Sequence, residues 1–276
     1  MVNVRESNQQ SIYILGAGRC GRALAHALEA AGHSIVGCWN ATAAGAAETR
    51  RQFPSVPVEH VEKVSSFREA DVVWVAVPDR FIVDVAPWLS GVPIAFHASG
   101  AIPAERLKTR NGAQFVSAVH PLQSFPVHAV GAEHLGGVYF GIEGDDEAAV
   151  AAMQLILDIG GVPFRVSTEE EKALYHAACC VASNAFVVLF ERAVRLFIAS
   201  GSSRAEAVRA LLPLVHGTIQ NLEQTEFPLR ALTGPVARGD TEVVSTHLVA
   251  IQQVVPEEMD SYRMVTELIA AILQTK

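Results

Sequence analysis

Apolar residues fall in short runs along the first 165 residues and in helix-length stretches after them. Ser11-Ile-Tyr-Ile-Leu15 is a strand-like run that leads into Gly16-Ala-Gly-Arg-Cys-Gly21, followed by a helix-like stretch from Arg22 to Ala31. A second strand is expected over His33–Trp39. Asp71–Val77 is almost continuously apolar, as a parallel strand buried on both faces should be, and Pro78 ends it. Further strands are expected over 93–97, 114–119, 137–142 and 162–166. Strands alternating with helices imply an α/β fold with a doubly wound sheet and right-handed crossovers.

After residue 166 the period changes from strand to helix. Ser167/Glu170 and Thr168/Glu171 both have capping-box spacing, so a helix should begin here. No breaker interrupts it before Gly201, which predicts a helix of about 30 residues. Ser203-Arg-Ala-Glu206 should cap a second helix and Asp240 a third, and Pro256 stands at the N1 position of a last helix ending near Thr275. The expected organisation is an α/β domain over 1–165 followed by an all-α domain over 166–276.

Composition narrows the classes of function. The chain has 276 residues, half of them hydrophobic, enough to bury a sizeable core. A net charge of -8 argues against a nucleic-acid surface, which would be basic. No apolar run is expected to reach the roughly 18 residues of a membrane span, and Met1–Asn8 has no apolar signal core, so a cytoplasmic protein is expected. Cys20, Cys38, Cys179 and Cys180 show no metal-ligand spacing, which predicts neither zinc nor disulfides.

Gly16-x-Gly18-x-x-Gly21, set between a strand and a helix, is the context in which such a motif binds a dinucleotide. Gly16 permits the tight turn, Gly18 lets backbone approach a pyrophosphate, and Gly21 lets helix and strand pack closely. The anion would lie at the helix N-terminus, against Ala17, Arg19 and Cys20 as well. NAD enzymes usually carry Asp or Glu after the second strand. Here Asn40 and Thr42 stand there instead, residues able to donate to a 2′-phosphate, so NADP is favoured over NAD. Val77 and Pro78, at the end of the third long strand, should face the same cofactor.

Ligands in open α/β sheets bind beyond the carboxyl ends of the strands. His97-Ala-Ser99-Gly100 and His120-Pro-Leu-Gln-Ser124 occupy such ends. On the long helix, α-helical spacing places Lys172, His176, Cys179, Ser183 and Asn184 along one stripe. Lys172 or His176 could handle a proton if burial tunes its pKa. Leu232-Thr233-Gly-Pro-Val-Ala-Arg238-Gly-Asp240 is either a helix connection capped by Asp240 or a binding loop using Thr233 and Arg238.

Together these motifs resemble a bacterial family of Rossmann-like oxidoreductases carrying a C-terminal helical domain of unknown function. That family is similar to the 6-phosphogluconate and β-hydroxyacid dehydrogenases, prephenate dehydrogenase and pyrroline-5-carboxylate reductase. The resemblance implies NADP-linked hydride transfer to or from a small carbonyl, imine or hydroxy substrate bound between the domains. It also implies a homodimer through the C-terminal helices. Lys172 matches the catalytic lysine of the β-hydroxyacid dehydrogenases, although His176 stands where they carry asparagine. Ser99-Gly100 resembles their substrate-binding Ser-Gly, and His120 the His-Pro of prephenate dehydrogenase. The expected site is therefore Lys172, His176, Ser99, His120 and Asn184, with no metal. A non-catalytic NADP(H) sensor is the rival reading.

Overall fold

The computed structural model describes residues 9–60, 64, 67, 69–125 and 135–274. Met1–Asn8 and Thr275, which entered the expectations above, lie outside the described residues. The chain divides into two compact units, Met1–Cys179 and Cys180–Lys276. The last strand does end at Arg165, but the first unit also keeps the following helical segment. The reason is local packing: Lys172 pairs with Glu143, and Tyr175 lies against Phe164 and His120.

Among the described residues the first unit carries one sheet of eight strands: β1 (Ser11–Leu15), β2 (Ser34–Trp39), β3 (Val58–Glu59), β4 (Val72–Val75), β5 (Ile94–His97), β6 (Phe115–Pro121), β7 (Tyr139–Gly144) and β8 (Val162–Arg165). Their order across the sheet is β3-β2-β1-β4-β5-β6-β7-β8, and every pairing is parallel except β6 with β7. The two-residue β3 was not anticipated, because Val58–Glu59 is too short to show a period.

Helices α1 (Arg19–Ala30), α2 (Ala43–Gln52) and α4 (Asp146–Asp158) supply the longer crossovers, whereas α3 (Ile82–Val85) is a single turn. The apolar strands β1 and β4 are buried along nearly their whole length, and the sheet has a core on each face. Ile12, Ile14, Leu24, Leu28 and Trp74 pack on one side. Tyr13, Leu15, Val73, Val75 and Leu89 pack on the other. This is the N-terminal Rossmann-like α/β fold that the pattern implies, followed by a helical region.

Helical structure runs from Glu169 to Ala199 as expected, but not as one regular α-helix. It consists of α5 (Glu169–Cys179), a π-helical segment (Cys180–Ala185) and α6 (Phe186–Ala199). Thr168 Oγ1 accepts from Glu171 N at 3.1 Å, while the Glu171 carboxylate reaches back to Ser167 N at 2.7 Å. This run is long and apolar enough to cross a membrane by length and composition. The sequence expectation missed it because Ser183 and Asn184 interrupt the apolar letters without much lowering the average.

The second unit continues with α7 (Arg204–Glu223), α8 (Pro235–Arg238), α9 (Thr241–Val254) and α10 (Met259–Gln274). Ser203 and Glu206 form a complete capping box on α7, and Asp240 caps α9 through Val243 N at 3.2 Å. Pro256 opens a short 3-10 turn ahead of α10 and so stands outside the α-helix itself. Glu258, fully buried, is held by Arg192 at 3.0 Å. Few hydrophobic residues join it inside: Val194, Ala207, Ile251 and Met259 are the buried ones among the described residues of this unit.

Candidate active site

The glycine turn after β1 is fixed by its own backbone and by one carbonyl. Gly16 has φ +107, and a Cβ there would stand 2.7 Å from Ala76 C and Val77 N. A Cβ on Gly21 would collide with Gly16 O. Only glycine allows the turn to lie against the end of β4 with α1 packed on it. Around Gly18, by contrast, a Cβ would meet nothing within 4 Å, so the space beside the turn is open. Gly18 is also the N-cap of α1 and offers no side-chain cap. The amides of Arg19, Cys20 and Gly21 thus lie in a first turn that leaves backbone donors for an anion.

Ala17 is buried, and its carbonyl accepts from Asn40 Nδ2 at 2.8 Å, Arg22 Nη1 at 2.9 Å and Thr49 Oγ1 at 3.3 Å. Three donors on one oxygen turn it inward and clamp the loop. Arg19 is exposed at the head of α1. Cys20 packs inward, its thiol pushed up to about 12 by burial, and is inert at neutral pH. Val77 is half-buried beside Gly16, and Pro78 is exposed at the start of the next turn.

Asn40 is partly committed within the fold. One N–H of its amide is committed to Ala17 O, so at most the second remains for a ligand. Its Oδ1 is buried without a hydrogen-bond partner, and what it can offer a ligand is an acceptor. Thr42 is exposed and caps α2 by accepting from Gly45 N at 3.1 Å. Its hydroxyl proton remains available to donate. No acidic residue stands in the first turn of α2.

The second constellation lies at the carboxyl ends of β5 and β6. His97, at the end of β5, is fully buried. Its Nδ1 accepts from Ser99 N at 3.2 Å and its Nε2 faces Pro103 O at 3.2 Å. Those partners require the neutral tautomer with the proton on Nε2. Burial, with lesser repulsion from Lys172 and His120, lowers its pKa to about 3. Ser99 is buried as well, and its Oγ accepts from Ala101 N at 3.1 Å and Ile102 N at 3.0 Å, leaving a proton to donate. The turn carrying Ser99-Gly100 is therefore prebuilt.

His120, near the end of β6, is half-buried and meets His176 of α5 edge to face, centroids 5.3 Å apart. Tyr175 Oη reaches His120 Nδ1 at 3.5 Å. A Cβ on Gly100 would collide with His176 Nδ1 and stand 2.8 Å from His120 Cε1. The two imidazoles thus close over a bare stretch of backbone. Burial lowers the pKa of His120 to about 4, with repulsion from His176 and Lys172 adding to it. His120 is neutral at physiological pH.

Lys172 lies behind this pair, only 3% exposed, its Nζ 3.0 Å from Glu143 Oε2. Burial lowers the Lys172 pKa, while Glu143 and, more weakly, Asp79 pull it back up. Asn184 belongs to the second unit, in the π-helical segment, and is exposed. The helical stripe drawn at α-helical spacing does not hold beyond Cys179, because π-helical turns change the angle per residue. Thr233 and Arg238 are both exposed in the second unit, in a connection whose Asp240 serves as N-cap. Glu143 and Tyr175 are residues of this cluster that the sequence does not single out, whereas His97 is noted there at its strand end but not placed in the expected site.

A model of Rossmann-like domains matches residues 3–121, and one of a domain of unknown function, DUF2520, matches residues 138–269. His97, Ser99, Gly100 and His120 belong to the Rossmann-like match; Glu143, Lys172, Tyr175 and His176 belong to DUF2520. No curated protein matches by sequence.

Among solved structures, a provisionally named NADP oxidoreductase from Bacteroides fragilis, BF3122, is 21% identical with TM-score 0.77, covering 95% of this chain and 98% of its own. Protein TM1727 from Thermotoga maritima is 25% identical with TM-score 0.71, over 96% and 98%. A 1-pyrroline-5-carboxylate reductase from Streptococcus pyogenes is 15% identical with TM-score 0.65, over 96% and 100%. These likenesses extend the shared fold through the DUF2520 segment.

Proposed function

We propose that this Rossmann–DUF2520 protein is an NADP-dependent oxidoreductase acting on a small carbonyl, imine or hydroxy substrate. The observation that carries the reading is the open, uncapped glycine turn at the head of α1. It shares one α/β unit, and one sheet edge, with the His120–His176 pair. BF3122, named for NADP chemistry, and the pyrroline-5-carboxylate reductase share the fold. The cofactor fits on Gly16, Gly18 and Gly21. Thr42 Oγ–H and the unopposed N-terminus of α2 would receive a 2′-phosphate, and Asn40 Oδ1 would accept from a ribose hydroxyl.

When bound, the reduced nicotinamide supplies a hydride. The chain's residues do the remainder. His176 delivers or takes the proton at the substrate heteroatom, and neutral His120 hydrogen-bonds that atom. The Ser99-Gly100 turn gives the substrate backbone to lie against. Lys172, buried and ion-paired, acts through its charge rather than by contact with substrate.

A homodimer through the C-terminal helices is part of the same proposal. The second unit buries few hydrophobic residues, whereas Val181, Val187, Leu214, Phe227, Val254 and Leu268 are each at least 59% exposed. A helical layer so poor in internal core is stabilised by burying that surface against a second copy.

The test is calorimetry with NADPH and NADH, followed by a screen of carbonyl, imine and hydroxy-acid substrates for NADPH oxidation or NADP reduction. Tight NADPH binding with turnover of one class is expected, and His176→Ala should then lose about 10²–10⁴-fold in kcat. Absence of binding by either nucleotide would overturn the reading. Tight binding with silence across the screen would favour a sensor.

A further inference from the structure

Glu143 Oε2 has two partners from different parts of the fold. It accepts from Lys172 Nζ at 3.0 Å and from Ala104 N at 2.9 Å. Ala104 opens the 3-10 turn directly after Pro103, whose carbonyl faces His97 Nε2. The loop between β5 and that turn is thus fastened at both ends: by the His97 imidazole at its start and by the Glu143 carboxylate at its close. Ser99-Gly100 lies between these two fastenings. Glu143 stands on the same face of β7 as Gly141, where Tyr175 packs. It also lines a polar cleft of about 350 Å³, and its side chain is 21% exposed against 3% for Lys172.

We propose that Glu143 is the positioning residue of this site, holding Lys172 as a cation and joining it to the loop that presents Ser99-Gly100 to the two histidines. The inference rests on the proposal that His120 and His176 are the reacting pair. A buried ammonium is stable only with an opposite charge, and Glu143 is the carboxylate in contact with it. The cleft lets water reach the carboxylate side of the pair. The Lys172 charge is in turn one of the causes that keep His97 and His120 neutral. Loss of the carboxylate would therefore be felt at the histidines as well as at the lysine.

Competitive acetylation of the whole protein, read at Lys172 by mass spectrometry from pH 6 to 11, measures its titration without a substrate. In Glu143→Gln the Lys172 midpoint should fall by about 1–3 pH units, the usual effect of a nearby opposite charge, so labelling at neutral pH rises. Glu143→Gln keeps an acceptor for Ala104 N; Glu143→Ala does not. Thermal unfolding should therefore leave the Gln variant closer to the parent than the Ala variant. An unchanged Lys172 midpoint in a folded Gln variant would overturn the proposal, and so would equal stability of the two variants. If neither variant folds, the parent protein still decides: a Lys172 midpoint as low as that of an unpaired buried amine would sink it, and one above that value, though below that of surface lysines, supports it. None of these readings depends on NADPH turnover, so failure of the proposed function would be seen separately.

Discussion

His120 and His176 meet edge to face with ring centroids 5.3 Å apart, on the side of Gly100 where a Cβ has no room. Gly100→Ala would force one of the rings away, and overpacking of this kind costs about 1–3 kcal/mol. The turn itself is held elsewhere, by His97, Ser99 and Glu143. The substitution should thus lower stability by that amount and abolish substrate turnover while leaving NADPH affinity within about twofold. Urea unfolding and calorimetry read the two effects independently. A parallel loss of NADPH binding would mean that the two constellations are not separable.

Gly18→Val makes the opposite separation. Its backbone is extended, with φ -74, and a Cβ there meets nothing within 4 Å. Stability should change by no more than about 0.5 kcal/mol, as for a surface site. A branched side chain in the open space should nonetheless weaken NADPH binding at least about tenfold, since a pyrophosphate needs the backbone close. Unchanged affinity by calorimetry would remove the glycine turn from the cofactor site.

Thr42→Asp tests the nucleotide choice. Asp is as good an N-cap as Thr, so α2 should keep its stability. The new carboxylate would face a 2′-phosphate, and like charges repel. NADPH affinity should drop by about tenfold or more, about 1.4 kcal/mol, with NADH affinity little changed. Equal losses for both nucleotides would place the 2′-group elsewhere.

His97 gives a pH signature. Its folded pKa of about 3 lies below the ordinary 6.5. The unfolded chain therefore takes up a proton that the folded chain refuses. The stability this group contributes is complete above about pH 6.5 and is lost as pH falls from there towards 3. Between pH 7.5 and 5 the loss from this residue should be about 2 kcal/mol. His97→Asn, which retains an acceptor for Ser99 N, should start less stable but show a correspondingly shallower decline. Urea unfolding at fixed protein concentration checks both, and an identical slope in the variant would exclude His97 as the source.

Much of the fold was legible because parallel strands leave a continuous apolar trace. β1, β4 and β5 fall where Ser11–Leu15, Asp71–Val77 and Pro93–His97 predict them. The glycine turn was legible for a similar reason, since its requirements are backbone geometry and only one residue type meets them. Long-range pairing was not. The strand expected over 137–142 runs on to Gly144, and only its register against β6 and the start of α5 brings Glu143 to Lys172.

Lys172 stands on a polar stripe in the letters, and neither its burial nor the carboxylate that burial demands can be read there. In the letters alone His97 is one loop histidine among several, and its burial comes from the sheet position rather than its neighbours in sequence. Residue type makes Asn40 a donor to phosphate, yet one N–H of its amide is directed inward by a carbonyl that exists only once the turn is built. The π-helical segment leaves no period in the letters, so the stripe through Ser183 and Asn184 stops at the end of α5.

The second unit supplies the last prediction. Val187, 64% exposed on α6, and Leu268, 63% exposed on α10, each stand in a helical layer with few buried hydrophobic residues. Val187→Glu and Leu268→Glu place charges where a second copy would bury them, and an unpaired buried charge costs several kcal/mol. Sedimentation should show the parent as a dimer and each variant shifted towards monomer, with a lower Tm that depends on protein concentration. On a lone chain the same substitutions would fall on solvent and change stability by no more than about 0.5 kcal/mol. A monomeric parent with unaffected variants would reject the dimer. Co-sedimentation of the parent with lipid vesicles, abolished by Val187→Glu, would assign the apolar run from Glu169 to Ala199 to a membrane surface instead.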